Sequence, residues 1–261
     1  MKKYYVIGDN VSKSLSPTIF NYWFNVYKIK AKYGFIEIKQ SQFDKKIVSI
    51  LKNKKASGLN ITIPYKEQII RYTNILDKHS KKINAVNCVT INSKIKGTNT
   101  DWQGYFKTLP KNKKLKNKKI VLVGYGGAAL AIHYVLKLKG FKNIVIFNRT
   151  KKLLKFEKTK KYTLNINKLD QHVENAFLII NSIPKNPFKL KISKLVSRKT
   201  LLSDIVYKPK ETVFLKNFPN NEKIYGISML IEQAALSFKV WFGFRPKVDE
   251  KLISILEKKI K

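Results

Sequence analysis

The chain has 261 residues, 44% of them hydrophobic, and its 54 basic and 16 acidic side chains give a formal net charge of +38. That length suits two domains or one large α/β unit. No apolar run approaches the roughly 20 residues needed to cross a bilayer, and the run after Met1 is too short for a signal-peptide core, which favours a cytoplasmic location. The single cysteine, Cys88, allows no internal disulfide, and the three histidines are too scattered for a zinc site, so we expect no metal.

The strong positive charge raises the question of nucleic-acid binding. Only four of the 54 basic residues are arginine, and the remaining 50 are lysines spread along the whole chain. Proteins that read phosphates and base edges rely on arginine forks. We therefore expect no dedicated nucleic-acid partner and no membrane partner. A basic nucleic-acid-binding module that has lost catalysis stays open as the alternative outside the enzyme class.

The first hundred residues alternate between the periodicities of strands and helices, which indicates an α/β domain. In chain order, the predicted elements are a strand at 4–7, a helix at 17–27, a strand at 33–38, a helix at 43–51, a strand at 59–63 and a hairpin of strands 88–92 and 94–98. The lysine-rich stretch 110–119, which begins with proline, then predicts a solvated linker.

A second α/β alternation begins at residue 119. Its predicted elements are a strand at 120–123, a helix at 128–139, and strands at 144–147, 177–180 and 201–205. The chain then closes with two predicted helices, 229–242 and 248–260. Two successive alternations predict two α/β domains.

The sequence Gly124-Tyr125-Gly126-Gly127-Ala128-Ala129 lies directly between a predicted strand and a predicted helix. In that context, the pattern is typical of a dinucleotide-binding turn. Gly124 permits the tight turn, Gly126 lets the backbone approach a pyrophosphate, and Ala129 allows close packing of helix on strand. The N-terminus of the helix then faces the negative charge of the ligand. The alternative is a glycine turn that binds no ligand.

The end of the next predicted strand indicates which dinucleotide is bound. An NAD site normally has a carboxylate there for the ribose 2′-hydroxyl, but no acidic residue occurs between Asp101 and Glu157. The chain instead has Asn148-Arg149-Thr150-Lys151-Lys152. Arg149 can pair with a 2′-phosphate through its charged fork, and Thr150 adds a hydroxyl. The sequence therefore predicts NADP as the cofactor.

Two segments of the first domain carry residues suited to acid/base chemistry. Asn60 and Thr62 are predicted at alternate positions of one strand, and Lys66 follows the proline that ends it. Asp101 comes after the predicted hairpin. A lysine held by an aspartate can exchange a proton with a substrate. Each residue alone is a weak signal, because most lysines are solvated and a lone aspartate is usually a helix cap.

These segments resemble, in the same order, the signatures of the shikimate dehydrogenase family over residues 4 to about 243. The matching segments are residues 8–17, 60–66, 85–87, 99–101, 204–209 and 226–235. The resemblance implies a substrate-binding domain of residues 1–101 plus 231–261 and a Rossmann-like NADP-binding domain of residues 102–230. The C-terminal helices would return to the first domain, with a cleft between the two.

The resemblance also implies an activity, the reversible NADPH-dependent reduction of 3-dehydroshikimate to shikimate in chorismate and aromatic amino acid biosynthesis. Lys66 and Asp101 would be catalytic, with hydride passing from the nicotinamide to the carbonyl carbon. The implied substrate-binding residues are Ser14, Ser16, Asn60, Thr62, Asn87, Tyr207 and Gln233. Beyond the glycine turn and residues 148–152, the implied cofactor-binding residues are Ile205 and Gly226, on the nicotinamide side.

Several positions depart from the family pattern. Lys13 and Phe20 stand where histidine is usual, Trp102 replaces a glycine, and Leu153 stands where a second phosphate-binding arginine is common. Lys151 or Lys152 could supply that cation as a point charge.

Other interpretations stay open at this stage. Ser16 could merely cap a helix, and Gln233 could be an exposed helical residue. A quinate/shikimate dehydrogenase that uses NAD is the alternative within the enzyme class. The expected partners are the small-molecule substrate and, at most, a second copy of the chain, as a monomer or homodimer.

Overall fold

The computed structural model describes residues 1–52, 56–110, 117–184 and 195–260. The chain divides into two compact units, the first formed by Met1–Gly104 with Ile231–Lys259 and the second built mainly from Tyr105–Leu230. Both are mixed α/β, so the predicted fold class is confirmed. Most of the predicted lysine-rich linker, residues 111–116, lies outside the described residues, and its last residue, Lys119, begins a strand. Within the described ranges, no helix is long and apolar enough to cross a membrane.

The described residues of unit 1 form six strands and several helices. They are β1 (Lys2–Gly8), α1 (Ser16–Val26), β2 (Ala31–Glu37), α2 (Phe43–Lys52), β3 (Gly58–Ile61), β4 (Ile75–Leu76), α3 (Lys78–Ile83), β5 (Cys88–Ile91), β6 (Ile95–Thr98), the start of α4 (Asp101–Thr108), most of α7 (Gly226–Phe242), and α8 (Glu250–Ile260). Short 3₁₀ turns cover Gln40–Gln42 and Gln68–Tyr72.

The sheet of unit 1 has the strand order β2-β1-β3-β5-β6-β4. β1 pairs in parallel with β2 and β3, whereas β3, β5 and β6 pair antiparallel. The predicted hairpin is confirmed, because β5 and β6 pair from Cys88↔Thr98 to Ile91↔Ile95. β3 is buried along its whole length and leads directly to Lys66.

Aromatic side chains of α1, α7 and the first two strands form much of the core of unit 1. The most buried members are Tyr4, Phe20, Trp23, Phe24, Tyr33 and Phe238. The ring centroids of Phe20 and Tyr33 are 4.4 Å apart and stacked, and those of Trp23 and Phe238 are 5.6 Å apart in an edge-on arrangement. Burying such large rings is strongly favourable, which accounts for the return of the C-terminal helices to this unit.

Two features of unit 1 differ from the prediction made from the sequence. The strand predicted at 59–63 ends at Ile61, because the chain turns there, with the amide of Tyr65 donating to the carbonyl of Thr62 over 2.9 Å. Thr62 therefore lies just beyond the strand that contains Asn60. Helix α4, which begins at Asp101, was not predicted from the sequence. That helix is too short for its periodicity to stand out in the sequence.

Unit 2 contains the remaining strands. They are β7 (Lys119–Val123), β8 (Ile144–Asn148), β9 (Leu164–Asn165), β10 (Ala176–Asn181), β11 (Leu201–Asp204) and β12 (Lys223–Tyr225), with helices α5 (Gly127–Leu138) and α6 (Val213–Lys216) and a 3₁₀ turn at Ile166–His172.

The six strands that the described part of unit 2 contains are all parallel, in the order β12-β11-β10-β7-β8-β9. The chain starts at the centre of the sheet, builds outward through β8 and β9, and then crosses back to β10 on the other side of β7. This is the strand order of the Rossmann fold, in which ligands bind outside the carboxyl ends of the strands at the point of reversal. The glycine turn follows β7, at that point.

Candidate active site

Lys66 and Asp101 form a buried ion pair in unit 1. Lys66 lies just beyond β3, Asp101 begins α4, and 2.7 Å separates Nζ from Oδ2. The side chains are only 11% and 4% exposed. Two charges withdrawn from water are tolerated because each compensates the other. The sequence expectation that these two residues meet agrees with this geometry.

Asn87 holds the other oxygen of the aspartate. Its Nδ2 lies 2.9 Å from Oδ1 of Asp101, 2.9 Å from Oγ1 of Thr100 and 3.1 Å from Oε1 of Gln233. Its own Oδ1 accepts from the backbone amide of Thr100 over 2.6 Å. An amide with two hydrogens shared among three acceptors has a fixed orientation, which in turn fixes the carboxylate.

Asn99 joins the two segments that carry these residues. Its Nδ2 donates to the carbonyl of Ala85 over 2.8 Å, and its Oδ1 accepts from the amide of Asp101 over 3.1 Å. The amide of Val86 donates to the carbonyl of Lys66 over 2.7 Å. Backbone and side-chain hydrogen bonds thus hold the lysine and aspartate segments together. The roles of Asn99 and Thr100 as structural partners could not be predicted from the sequence, because these roles depend on which strands pair.

Gln233, on α7, lies beside the same cluster. The side chain is buried, so the alternative of an exposed helical residue is wrong. A Cβ at Gly104 would lie 2.9 Å from the backbone nitrogen of Gln233, so glycine is what lets α4 approach α7 this closely.

The segment before α1 carries the two candidate carboxylate-binding serines. Helix α1 begins at Ser16 itself, and the preceding Leu15 makes no side-chain capping bond, so the capping alternative for Ser16 is wrong. The amide of Ser16 donates to Oγ of Ser14 over 3.3 Å. Glu37, at the end of β2, accepts from the amides of Ser12 and Val11 over 2.8 and 2.9 Å, and these hydrogen bonds lower its pKa.

Asn60 and Thr62 differ in how their polar atoms are used. Asn60 is buried, and its side chain bonds to Tyr33, to Ser237 and to the carbonyl of Asn87. Its amide hydrogens are therefore both engaged inside the protein. The hydroxyl of Thr62 forms no hydrogen bond with any described residue, which leaves it available to a ligand.

The glycine turn after β7 has the geometry that a dinucleotide requires. Gly124 has a φ of +99°, a conformation that strains any other residue, and an added Cβ would meet Oγ of Ser182. An added Cβ at Gly126 would meet no atom within 4 Å, so space outside the turn is open at the N-terminus of α5. Backbone amides at such a helix end attract anions. The residues present therefore fit a bound pyrophosphate.

Tyr125, within this turn, points into unit 2. Its hydroxyl lies 3.0 Å from Nδ1 of His133 and accepts from the amide of Lys155 over 3.0 Å. His133 lies 3.2 Å from Glu157 through its other ring nitrogen, and burial lowers the histidine pKa to about 4. The carbonyl of Tyr125 accepts a hydrogen bond from Nζ of Lys152 over 3.2 Å.

The segment after β8 is exposed and basic. Asn148 donates to the carbonyl of Thr150 over 2.9 Å, which folds the segment back on itself. Arg149 is exposed and forms no ion pair within the described parts of the chain. The ammonium of Lys151 lies 4.6 Å from the ring centroid of Tyr162. Of the two lysines considered as the second phosphate cation, only Lys152 contacts the glycine turn.

The two candidate nicotinamide-side residues lie on neighbouring segments of unit 2, since Ile205 directly follows β11 and Gly226 begins α7 directly after β12. A Cβ at Gly226 would lie 2.5 Å from the carbonyl oxygen of Ile205, so the two backbones are in direct contact. The neighbouring carboxylate of Asp204 is buried and accepts from the amide of Val206 over 2.9 Å. Tyr207 is half-buried, and its hydroxyl has no hydrogen-bond partner among the residues described.

Fold and site together define the class: a two-unit α/β protein whose second unit has the architecture of the dinucleotide-binding proteins. Sequence profiles agree along the chain. The shikimate dehydrogenase substrate binding domain matches residues 6–89, the shikimate / quinate 5-dehydrogenase profile matches residues 108–205, and the shikimate 5'-dehydrogenase C-terminal domain matches residues 226–250.

Proteins that are similar over nearly their whole length are named shikimate dehydrogenases. An NADP(+) shikimate dehydrogenase of Clostridium botulinum is 38% identical over 90% of this chain and 95% of its own length. One of Saccharolobus solfataricus is 34% identical over 98% of this chain and 94% of its own. A crystal structure of a shikimate dehydrogenase in complex with NADP+ is 29% identical, with a TM-score of 0.84 over 100% of this chain and 96% of that one. The chain belongs to the shikimate dehydrogenase family.

Proposed function

We propose that the protein is an NADP-dependent shikimate dehydrogenase that reduces the ketone of 3-dehydroshikimate reversibly to the alcohol of shikimate. The observation that carries the proposal is the buried ion pair of Lys66 and Asp101, with 2.7 Å between its charged atoms. The names of the relatives, NADP(+)-dependent shikimate dehydrogenases at 34 and 38% identity, support the substrate and the cofactor.

Lys66 is the proton donor of the proposed reaction. Reduction of a ketone adds a hydride to carbon and a proton to oxygen, and the bound NADPH supplies the hydride. The ammonium of Lys66 gives its proton to the oxygen as negative charge develops there. Asp101 orients the ammonium and, once the amine is neutral, is left as a buried carboxylate held by Asn87. In the oxidation direction, the neutral lysine accepts the hydroxyl proton.

The substrate is proposed to bind on unit 1. The hydroxyls of Ser14 and Ser16 receive the carboxylate, and Asn87 and Gln233 lie beside the ion pair, where the reacting end of a small ring must be. Thr62 offers a hydroxyl without a partner among the described residues. Tyr207 is proposed as a further contact from its half-buried hydroxyl. Asn60 differs from Thr62 and Tyr207, because Tyr33, Ser237 and the carbonyl of Asn87 occupy its polar atoms, and we assign it a supporting role.

The cofactor is proposed to bind on unit 2. The turn of residues 124–128 receives the pyrophosphate, because the space beyond Gly126 is open. Arg149, Thr150 and Lys152 receive the 2′-phosphate. Lys151 is less suited, since its ammonium lies over an aromatic ring. Ile205 and Gly226 are proposed to contact the nicotinamide. The lack of an acidic residue at positions 149–156, directly after β8, disfavours NAD, and with it the NAD-dependent quinate alternative.

The proposed reaction belongs to chorismate and aromatic amino acid biosynthesis, in the cytoplasm, by a monomer or homodimer. The test is reduction of NADP+ and of NAD+ by the purified protein, with shikimate and with quinate as separate substrates. We expect reduction of NADP+ with shikimate and a much lower rate with NAD+ or quinate. The Lys66→Ala variant, purified in the same way, controls for contaminating host enzyme. No NADP+ reduction above that control would refute the proposal.

A further inference from the structure

The side chain of Tyr125 is buried, although its backbone belongs to the glycine turn. Only 3% of the residue is exposed, and the ring centroid lies 5.7 Å from that of His133 on α5. A buried hydroxyl is costly unless hydrogen bonds satisfy it. The proposed function uses the backbone of the turn, so the phenol of Tyr125 has no role assigned to it.

The hydrogen bonds of the phenol run in one direction from donor to acceptor. The amide of Lys155 donates to the hydroxyl of Tyr125 over 3.0 Å, and the other ring nitrogen of the nearby His133, Nε2, lies 3.2 Å from Oε1 of Glu157. A carboxylate only accepts, so Nε2 carries the histidine proton. Nδ1 is then an acceptor and receives the hydroxyl proton over 3.0 Å. We call the side chains of Tyr125, His133 and Glu157, with the amide of Lys155, the Tyr125 anchor.

The anchor holds the segment of residues 152–157 against the turn and α5. The ammonium of Lys152 donates to the carbonyl of Tyr125 over 3.2 Å, and the ring of Phe156 meets that of His133 edge-on at 5.1 Å. Burial lowers the pKa of His133 to about 4, which keeps the imidazole neutral and its Nδ1 able to accept at neutral pH.

The residues before this segment are held by hydrogen bonds to Thr163. The hydroxyl of Thr163 accepts from the amide of Lys152 over 2.9 Å and donates to the carbonyl of Thr150 over 3.3 Å. The amide of Thr163 donates to the carbonyl of Lys152 over 2.8 Å. The chain from Thr150 to the anchor is thus fixed by several hydrogen bonds, and its position relative to the turn depends on the anchor.

We propose that Tyr125 is a positioning residue that sets the preference for NADP over NAD. The inference rests on the proposed function, in which the turn of residues 124–128 receives the pyrophosphate and Arg149, Thr150 and Lys152 receive the 2′-phosphate. Both groups of NADP are attached to one ribose, so the spacing between the two protein segments must match the spacing within the ligand. NAD has no 2′-phosphate and binds without this match. Segments already held in the bound arrangement raise affinity.

The test compares Tyr125→Phe with Tyr105→Phe. Both variants remove one buried phenolic hydroxyl from unit 2, since Tyr105 donates to Oγ of Ser203 over 3.2 Å, but only the first disturbs the Tyr125 anchor. Calorimetric titration gives Kd for NADP+ and for NAD+. We expect Tyr125→Phe to raise Kd for NADP+ about tenfold and Kd for NAD+ less than about twofold. Tyr105→Phe is expected to leave the ratio of the two constants at its wild-type value.

The ratio of the two constants decides the inference. An equal rise for NADP+ and NAD+ in Tyr125→Phe would indicate a merely structural role and overturn the inference, as would unchanged constants for both. If Tyr125→Phe does not fold, His133→Gln is measured instead, because glutamine keeps a donor toward Glu157 and removes the acceptor of the Tyr125 hydroxyl. An unchanged ratio in His133→Gln would contradict the inference.

The titration contains no shikimate, which separates this inference from the proposed reaction. A wild type that binds NADP+ without oxidising shikimate refutes the reaction, while the comparison of the variants still decides the role of Tyr125. A wild type that binds the two cofactors equally overturns the inference and the cofactor assignment together.

Discussion

The ammonium of Lys66 and the carboxylate of Asp101 lie 2.7 Å apart although the two residues are 35 positions apart along the chain. β3 ends just before the lysine, and α4 starts at the aspartate. Because β3, β5 and β6 are consecutive in the sheet, the segments following β3 and β6 lie at neighbouring positions of unit 1. Two consequences of this pair are testable, one for turnover and one for stability.

Replacing the proton donor should abolish most turnover. We expect Lys66→Ala to lower kcat by about 100-fold or more, with little change in KM for shikimate, since the lost group acts on the forming alkoxide. Lys45→Ala, at an exposed position of α2, is the matched control and should be as active as the wild type. Steady-state kinetics measure both. A near-normal rate for Lys66→Ala would eliminate the assigned role.

The same substitution should destabilise the fold. Lys66→Ala leaves Asp101 buried without its cation, which we expect to cost roughly 3 kcal/mol of unfolding free energy at neutral pH. Adding Asp101→Asn removes the uncompensated charge and should recover part of that loss. Urea unfolding of the wild type, both single variants and the double variant gives the coupling energy. Strictly additive effects of the two substitutions would contradict the direct pairing.

Arg149 should discriminate between the two nicotinamide cofactors. We expect Arg149→Ala to raise KM for NADPH at least about tenfold and to change KM for NADH little, because only NADPH carries the 2′-phosphate. Arg198→Ala, exposed in the same unit, controls for loss of general positive charge. If Arg149→Ala affects the two cofactors equally, the arginine does not contact the 2′-phosphate.

Replacement by alanine should affect different properties at two glycines of unit 2, namely cofactor binding at Gly126 and stability at Gly226. At Gly126 an added methyl meets no protein atom, so we expect unchanged thermal stability and a KM for NADPH raised about tenfold by loss of space for the pyrophosphate. At Gly226 it would lie 2.5 Å from the carbonyl oxygen of Ile205, so the backbone must shift, at about 1–3 kcal/mol of stability. Calorimetry and cofactor kinetics on both variants separate the effects. Equal melting temperatures would contradict the close contact at Gly226.

His133 should make the stability of the protein pH-dependent. Burial lowers its folded pKa to about 4 from the ordinary histidine value of 6.5, although Glu157 opposes the shift. Between these values the unfolded chain binds more protons, so the contribution is complete above pH 6.5 and is lost as the pH falls toward 4. At pH 5 the loss is about 2 kcal/mol. His133→Gln should show a shallower decrease of unfolding free energy from pH 7 to 5, and a slope equal to wild type would contradict this origin.

The sequence predicts best those features that depend on residues next to one another in the chain. The glycine turn could be identified because strand, turn and helix are contiguous, and Gly124 has the positive φ that the turn requires. The role expected for Lys152 also has support, since its ammonium contacts the turn. The prediction that Thr62 lies on the strand was wrong, because the residue at which strand pairing ends depends on the partner strand. Helix α4 was missed because it has only 8 residues.

The sequence by itself determined the α/β class, the dinucleotide turn and the identity of the ionisable pair, because each depends on residue type and order along the chain. The tertiary structure alone decided how the polar side chains are used. Asn60 was predicted to bind the substrate, but its side chain forms hydrogen bonds with Tyr33, Ser237 and the carbonyl of Asn87. Hydrogen bonds of that kind join residues as far apart as 177 positions, and only the packing of α7 against the sheet brings them within 3 Å.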